Sequence, residues 1–175
     1  MEFSIAYLYS GLILIGVVIN LAAWRHGLSG RKAMETVLFW CLLAGVGFTG
    51  ISVFICQLLF PGTSLDPSGW PFGGPFHWGS GAVWLAIGLA GIACAKWRNG
   101  FWGATILISS VVLLGNAADQ IDKVFPGNNA GNVIPGPVFW FELALPIVMV
   151  LLWLGIRAGR RNRDVWLTPV ERRPS

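Results

Sequence analysis

Apolar segments long enough to cross a lipid bilayer recur along this chain, and they constrain its fold more than any other feature. A helix of about 18 residues, rising about 1.5 Å per residue, spans most of the ~30 Å hydrocarbon layer. Such segments predict five transmembrane helices, at residues 5–24, 34–60, 76–95, 101–123 and 138–156. With 55% apolar and only 11% charged residues, the chain has little left for a soluble domain. We therefore predict an all-α polytopic transmembrane helical bundle, one domain over residues 1–164 with a cytoplasmic tail at 165–175.

The basic residues predict how this bundle is oriented. Of the 12 lysines and arginines, only Lys123 would lie outside; the others follow the first helix, follow the third helix, or lie from Arg157 onwards. Because cytoplasmic flanks carry the excess of Lys and Arg, the N-terminus is expected outside and the C-terminus in the cytoplasm. This alternation needs an odd number of spans, which favours five over four. We expect a multi-pass protein of the cell (inner) membrane, with the lipid bilayer as a partner and no nucleic acid.

Small residues on the third helix predict close helix packing. Ala82, Ala86 and Ala90 recur every four positions, and Gly88 and Gly91 form a second narrow strip. Lipid tails are as apolar as leucine, so helices associate in a membrane through close backbone approach, which small residues allow. The third helix is therefore expected at the centre of the bundle or against another subunit.

Polar residues near the helix ends predict a polar or ligand pocket at the level of the outer leaflet. Four helices bring such groups to one depth, and ionisable groups inside a span are costly enough to need a reason. The candidates are Glu142, Asp119, Asn116, His77 and Gln57. His77, Asp119 and Glu142 form a feasible metal ligand set, although no metal is assigned. The alternative is structural: Asp119 emerges among the headgroups and pairs with Lys123 at i+4.

Glu142 is the most informative of these candidates. It lies within an apolar helix, four residues before Pro146. A proline at that offset leaves the carbonyl of Glu142 without its usual helical donor. A carboxyl and a free carbonyl at one point need donors, which Asn116, Gln57, His77 or water can supply. A functional pocket and a purely structural interhelical hydrogen bond remain open here.

The Pro and Gly positions allow an internal repeat. The second and fourth helices end in Phe-Pro-Gly, at residues 60–62 and 125–127, and Gly-Pro precedes the third and fifth helices. Helices two and three would then form a hairpin that helices four and five repeat. The alternative is that these dipeptides only mark helix ends.

A series of Gly, Pro, aromatic and a few other positions runs across residues 70–152. The series comprises Gly74-Pro75-Phe76, Leu85-Ala86-Ile87-Gly88, Gly91, Phe101-Trp102, Ala104-Thr105, Leu114-Gly115, Asn129-Ala130-Gly131-Asn132, Glu142 and Pro146. In these positions the second half of the chain resembles an uncharacterised family of small bacterial multi-pass integral membrane proteins. Members of that family tend to carry a glutamate near position 79 and a histidine near 119, where this chain has Gly79 and Asp119. The resemblance therefore implies that any shared polar site is altered here, which counts against a metal site.

Three functions fit the sequence. The first is a non-enzymatic subunit or accessory component of a larger membrane complex, with other membrane protein subunits as partners. The second is a small transporter or channel component with an outward-facing polar pocket, and the third is a membrane enzyme acting on a lipid-soluble substrate. The chain has no HExxH, CxxCH or Gly-x-Ser-x-Gly motif and no phosphate-binding glycine-rich loop. The sequence therefore assigns no catalytic residue and no cofactor, which favours the first function.

Overall fold

The computed structural model describes residues 5–23, 29–59, 75–98, 100–124 and 136–166. These residues form five helices, and none of them lies in a strand. The helices are α1 (Ile5–Ala23), α2 (Gly30–Leu59), α3 (Pro75–Ala93), α4 (Gly100–Val124) and α5 (Pro137–Trp166). The protein is therefore all-helical, as the sequence predicts.

Three of these helices are long and apolar enough to cross a membrane. They are α2 over its whole length, α4 over Gly100–Ala118 and α5 over Pro137–Gly159. In α1 and α3 the apolar stretches are shorter, at Leu8–Asn20 and Trp78–Ala93. Of the five predicted spans, three therefore meet the length of a bilayer within the part of the chain that the structure describes.

The helix bounds differ from the prediction at several ends. α2 begins at Gly30 rather than at residue 34, because Ser29 acts as its N-cap and accepts a hydrogen bond from the backbone N–H of Lys32 at 3.4 Å. α3 ends at Ala93 instead of residue 95, and a turn follows it. α5 continues to Trp166, past the predicted end at 156, because arginine favours a helix as well as most apolar residues do.

The middle of α2 is a π-helix over Cys41–Phe48. At its end the hydroxyl of Thr49 donates to the carbonyl of Ala44, five residues back, at 3.2 Å. The π segment and the following turns face α3 through glycines on both helices. A Cβ at Gly91 would lie 2.5 Å from the backbone nitrogen of Gly47, and one at Gly50 would lie 2.8 Å from the Cα of Gly88. The two backbones approach so closely that only glycine fits at this crossing.

The helices pair along the chain. α2 packs most extensively on α3, and α4 packs most extensively on α5. The hydroxyl of Tyr9 donates to Ser52, which ties α1 to α2. The side chains of Leu38, Leu42 and Met149 have no exposed surface and lie at the centre of the hydrophobic core. Two packed helical pairs with α1 alongside therefore build the bundle.

Candidate functional site

Glu142 and Asn116 form a hydrogen bond between two helices. Glu142 lies one turn into α5 and is only 7% exposed, and Asn116 lies half-buried in the second half of α4. The amide Nδ2 of Asn116 donates to the Oε1 of Glu142 at 3.4 Å. Pro146 lies within α5 four residues after Glu142, and it removes the helical donor for the Glu142 carbonyl. The pair therefore lies where α5 has lost one of its own hydrogen bonds.

Gln57 makes the corresponding contact in the first helical pair. It is buried near the end of α2, and its Nε2 donates to the hydroxyl of Ser80 on α3 at 3.5 Å. Ser80 follows Pro75 by five residues, and Glu142 follows Pro137 by the same number. In both pairs an amide side chain in the second half of one helix thus donates to the residue five positions after the proline that begins the next helix.

His77 and Asp119 are the remaining candidates for the polar pocket. Their backbones belong to α3 and α4, and their side chains lie outside the described part of the chain. Among the residues whose side chains the structure describes, no three His, Cys, Asp or Glu residues lie together as a metal site requires. Two of the five predicted pocket residues, Asn116 and Glu142, therefore bond each other. A third, Gln57, donates a hydrogen bond to Ser80 instead.

The predicted packing residues of α3 divide between two faces. Gly88 and Gly91 are buried against α2 at the glycine crossing. Ala82 and Ala86 are exposed, and Ala90 is half-buried. The glycine strip is used inside the bundle, while most of the alanine strip lies on its surface.

A turn that connects α3 to α4 is held by a buried tryptophan. The indole Nε1 of Trp102 donates to the carbonyl of Cys94 at 2.9 Å, and the thiol of Cys94 contacts the hydroxyl of Thr105 at 3.5 Å. The sequence carries no signal for this bond, because the acceptor is a backbone carbonyl.

The arginines form a further feature that the sequence reasoning treated only as markers of orientation. Arg31 of α2, Arg98 after α3 and Arg157 of α5 line one cleft of about 240 Å³. These residues are far apart in the chain, and only the alternating direction of the helices brings them together. The cleft lies at the end of the bundle opposite to the Asn116–Glu142 and Gln57–Ser80 bonds.

Comparison with other proteins gives a family but no function. No curated protein and no solved structure matches the chain. The resemblance seen in the sequence covers residues 70–152, whereas a family match extends over residues 2–162 and includes all but the ends of the chain. The chain belongs to the family of unknown function DUF6790.

Proposed function

We propose that this chain is a multi-pass protein of the cell (inner) membrane that serves as a non-enzymatic subunit or accessory component of a larger membrane complex. The membrane part of the proposal is supported by the three helices of bilayer length and by their surface. Large apolar side chains such as Leu107 on α4 and Leu151 on α5 are exposed. A soluble monomer rarely exposes so many large apolar side chains, whereas a lipid-facing bundle requires them.

The proposed topology has five spans, with the N-terminus outside and the C-terminus in the cytoplasm. Its support is the shared cleft of Arg31, Arg98 and Arg157. Arg31 and Arg98 flank loops that the topology assigns to the cytoplasm, and Arg157 begins the basic C-terminal segment. A bundle that brings all three to one end agrees with the positive-inside rule.

The outward alanine face of α3 is the observation that carries the proposed role in a complex. This face comprises Gly79, Ala82 and Ala86, which are all exposed. A Cβ added at Gly79 would meet no atom within 4 Å, so the bundle itself leaves this face open. Small residues every three or four positions are the pattern that lets a second transmembrane helix approach closely. The glycine face of the same helix packs closely against α2.

The pairing of polar groups supports a role without chemistry. Asn116 and Glu142 bond each other, and Gln57 bonds Ser80. Each bond joins neighbouring helices of one pair, as expected of groups that hold a bundle together. We therefore place the transporter and the enzyme behind the complex subunit as candidate functions.

Native mass spectrometry after extraction in a mild detergent tests this role. The wild-type chain is expected in a species whose mass is not a multiple of its own 19.0 kDa. The double variant Ala82→Leu/Ala86→Leu should lose that species, because two leucines prevent close approach. Ala104→Leu is the matched control, since Ala104 is exposed on α4. A wild-type chain that is monomeric, or equal loss in the control, contradicts the proposal.

A further inference from the structure

The cleft at the basic end of the bundle carries an excess of positive charge. Three guanidinium groups line it, from Arg31, Arg98 and Arg157, together with one carboxylate, that of Glu35. Glu35 is already engaged, because its Oε1 accepts a hydrogen bond from the Nε of Arg31 at 2.9 Å. The cleft therefore holds two more cationic than anionic side chains.

The other two arginines lie on aromatic rings. The guanidinium of Arg157 is 4.2 Å from the centroid of the Trp153 ring, and that of Arg98 is 5.7 Å from the Trp102 ring. Within the described residues, neither Arg98 nor Arg157 forms an ion pair with a carboxylate. An aromatic face orients the plane of a guanidinium and leaves the N–H groups at its edge available to an anion.

The start of α4 adds a further positive contribution. Gly100 is the first residue of this helix of 25 residues, and it also lines the cleft. The N–H groups of a first helical turn have no carbonyl partner within the helix, and they carry partial positive charge. A Cβ at Gly100 would meet no atom within 4 Å, so the backbone is open to a ligand at this point.

We propose that this cleft binds a phosphate group, carried either by the headgroup of an anionic lipid or by a free phosphate ion. Arginine forks bind phosphate oxygens in a bidentate manner, and a helix N-terminus adds N–H donors. Basic pockets between helices at the cytoplasmic side of a membrane are known to hold anionic headgroups. The volume of about 240 Å³ is several times the ~30 Å³ that one water occupies in the liquid, so a phosphate group fits.

The tryptophans of the cleft favour the lipid as the source. Indole rings concentrate at the level of the headgroups, because the ring body is apolar and its N–H is polar. Trp102 and Trp153 both line the cleft, which lies beside apolar helix segments of α4 and α5. A headgroup can therefore enter while its acyl chains stay against those helices. This proposal does not depend on the role in a complex, since it concerns a different end of the bundle.

Lipid and phosphate binding by the purified full-length chain test the proposal. Native mass spectrometry would count bound phosphatidylglycerol and phosphatidylcholine during separate titrations in a neutral detergent, and calorimetry would measure inorganic phosphate in the absence of lipid. Binding of phosphatidylglycerol is expected to weaken about fivefold for each of Arg98→Gln and Arg157→Gln, and about twentyfold or more for the double variant. Lys96→Gln is the matched control, because this exposed lysine lies two residues before Arg98 and does not line the cleft.

The outcomes separate the two sources. Arginine-dependent binding of phosphatidylglycerol that excess phosphate does not displace identifies a lipid headgroup. Arginine-dependent binding of phosphate alone identifies a free anion, and both results support the proposal. No preference for phosphatidylglycerol together with no phosphate binding overturns it, and so does a control that loses as much affinity as the double variant.

A folding check keeps the test decisive. The thermal unfolding midpoint of each variant is measured without ligand, and Arg157→Lys serves if Arg157→Gln does not fold. Lysine keeps the charge but lacks the bidentate fork, so this variant should bind phosphatidylglycerol two- to fivefold more weakly, roughly, than the wild type. Affinity equal to that of the wild type in Arg98→Lys/Arg157→Lys would contradict recognition by arginine forks.

Discussion

The amide of Asn116 donates to the carboxyl group of Glu142 at 3.4 Å, and this hydrogen bond joins α4 to α5. It lies within apolar surroundings, beside the turn of α5 that Pro146 deprives of a helical hydrogen bond. A buried polar group needs a hydrogen-bond partner, and this bond supplies one to each of the two side chains. The pair is therefore part of what fixes the second helical pair of the bundle.

Removing both partners of this bond should cost less than the sum of the single changes. Asn116→Leu and Glu142→Leu each remove one side of this bond and leave the other polar side chain in place, whereas the double variant removes both sides. Interhelical hydrogen bonds in membrane proteins couple by about 0.6 kcal/mol on average and up to about 1.7 kcal/mol. Equilibrium unfolding of the wild type, the two single variants and the double variant in mixed micelles measures this coupling. A coupling of zero would show that the bond contributes no stability.

Replacing Glu142 by Gln separates a structural role from transport or catalysis. Glutamine keeps a carbonyl oxygen that can accept from Asn116 and removes the ionisable group. We expect Glu142→Gln to fold, to assemble and to have stability within about 0.5 kcal/mol of the wild type. If this variant is expressed and assembled like the wild type but no longer supports the protein's function in cells, a transporter or an enzyme is favoured instead.

A methyl group at the glycine crossing of α2 and α3 should destabilise the bundle. In Gly91→Ala the new Cβ would lie 2.5 Å from the backbone nitrogen of Gly47, so the two helices must move apart. Overpacking of this kind costs about 1–3 kcal/mol. Gly79→Ala is the control on the same helix, because its Cβ meets no atom within 4 Å. Unfolding measurements that find both variants equally stable would show that the helices do not cross this closely.

The turn after α3 should depend on the buried tryptophan. Trp102→Phe removes the donor to the Cys94 carbonyl while keeping an aromatic ring, and a lost buried hydrogen bond costs about 1–3 kcal/mol. Trp97→Phe provides the comparison, since Trp97 is 56% exposed and lies in the same connection. Its effect should stay within about 0.5 kcal/mol. A larger loss in Trp97→Phe than in Trp102→Phe, measured by thermal unfolding, would contradict this assignment.

Much of the helical architecture follows from apolar patterning. Each feature that the pattern does not predict has a physical cause. The five apolar segments correspond to the five helices, because a long apolar run predicts a helix and Pro and Gly residues mark its ends. The π segment has no signal of its own in the sequence, since its hydrogen bonds form where glycines of α2 and α3 meet. The start of α2 at Gly30 could be predicted from Ser29, because serine is a common N-cap residue.

The candidate site was less accessible from sequence than the fold. A single Glu or Asn stands out in an apolar helix because burying it costs free energy, so Glu142 and Asn116 were among the predicted polar groups. Ser80 was not, because a serine in a helix is common and carries no charge. The arginine cleft was missed for a different reason: Arg31, Arg98 and Arg157 are distant in sequence, and only the packing of the helices brings them to one place.

We propose that the chain crosses the membrane five times with its basic end in the cytoplasm. Labelling by a membrane-impermeant maleimide in right-side-out vesicles tests this topology. Cysteines are introduced separately as Ser64→Cys and Lys96→Cys. The wild-type chain is the control, because it reports any labelling of the native cysteines. We expect Ser64→Cys to be labelled in sealed vesicles and Lys96→Cys to be labelled only after detergent opens them. Labelling of both positions from the same side of the sealed membrane would contradict the topology.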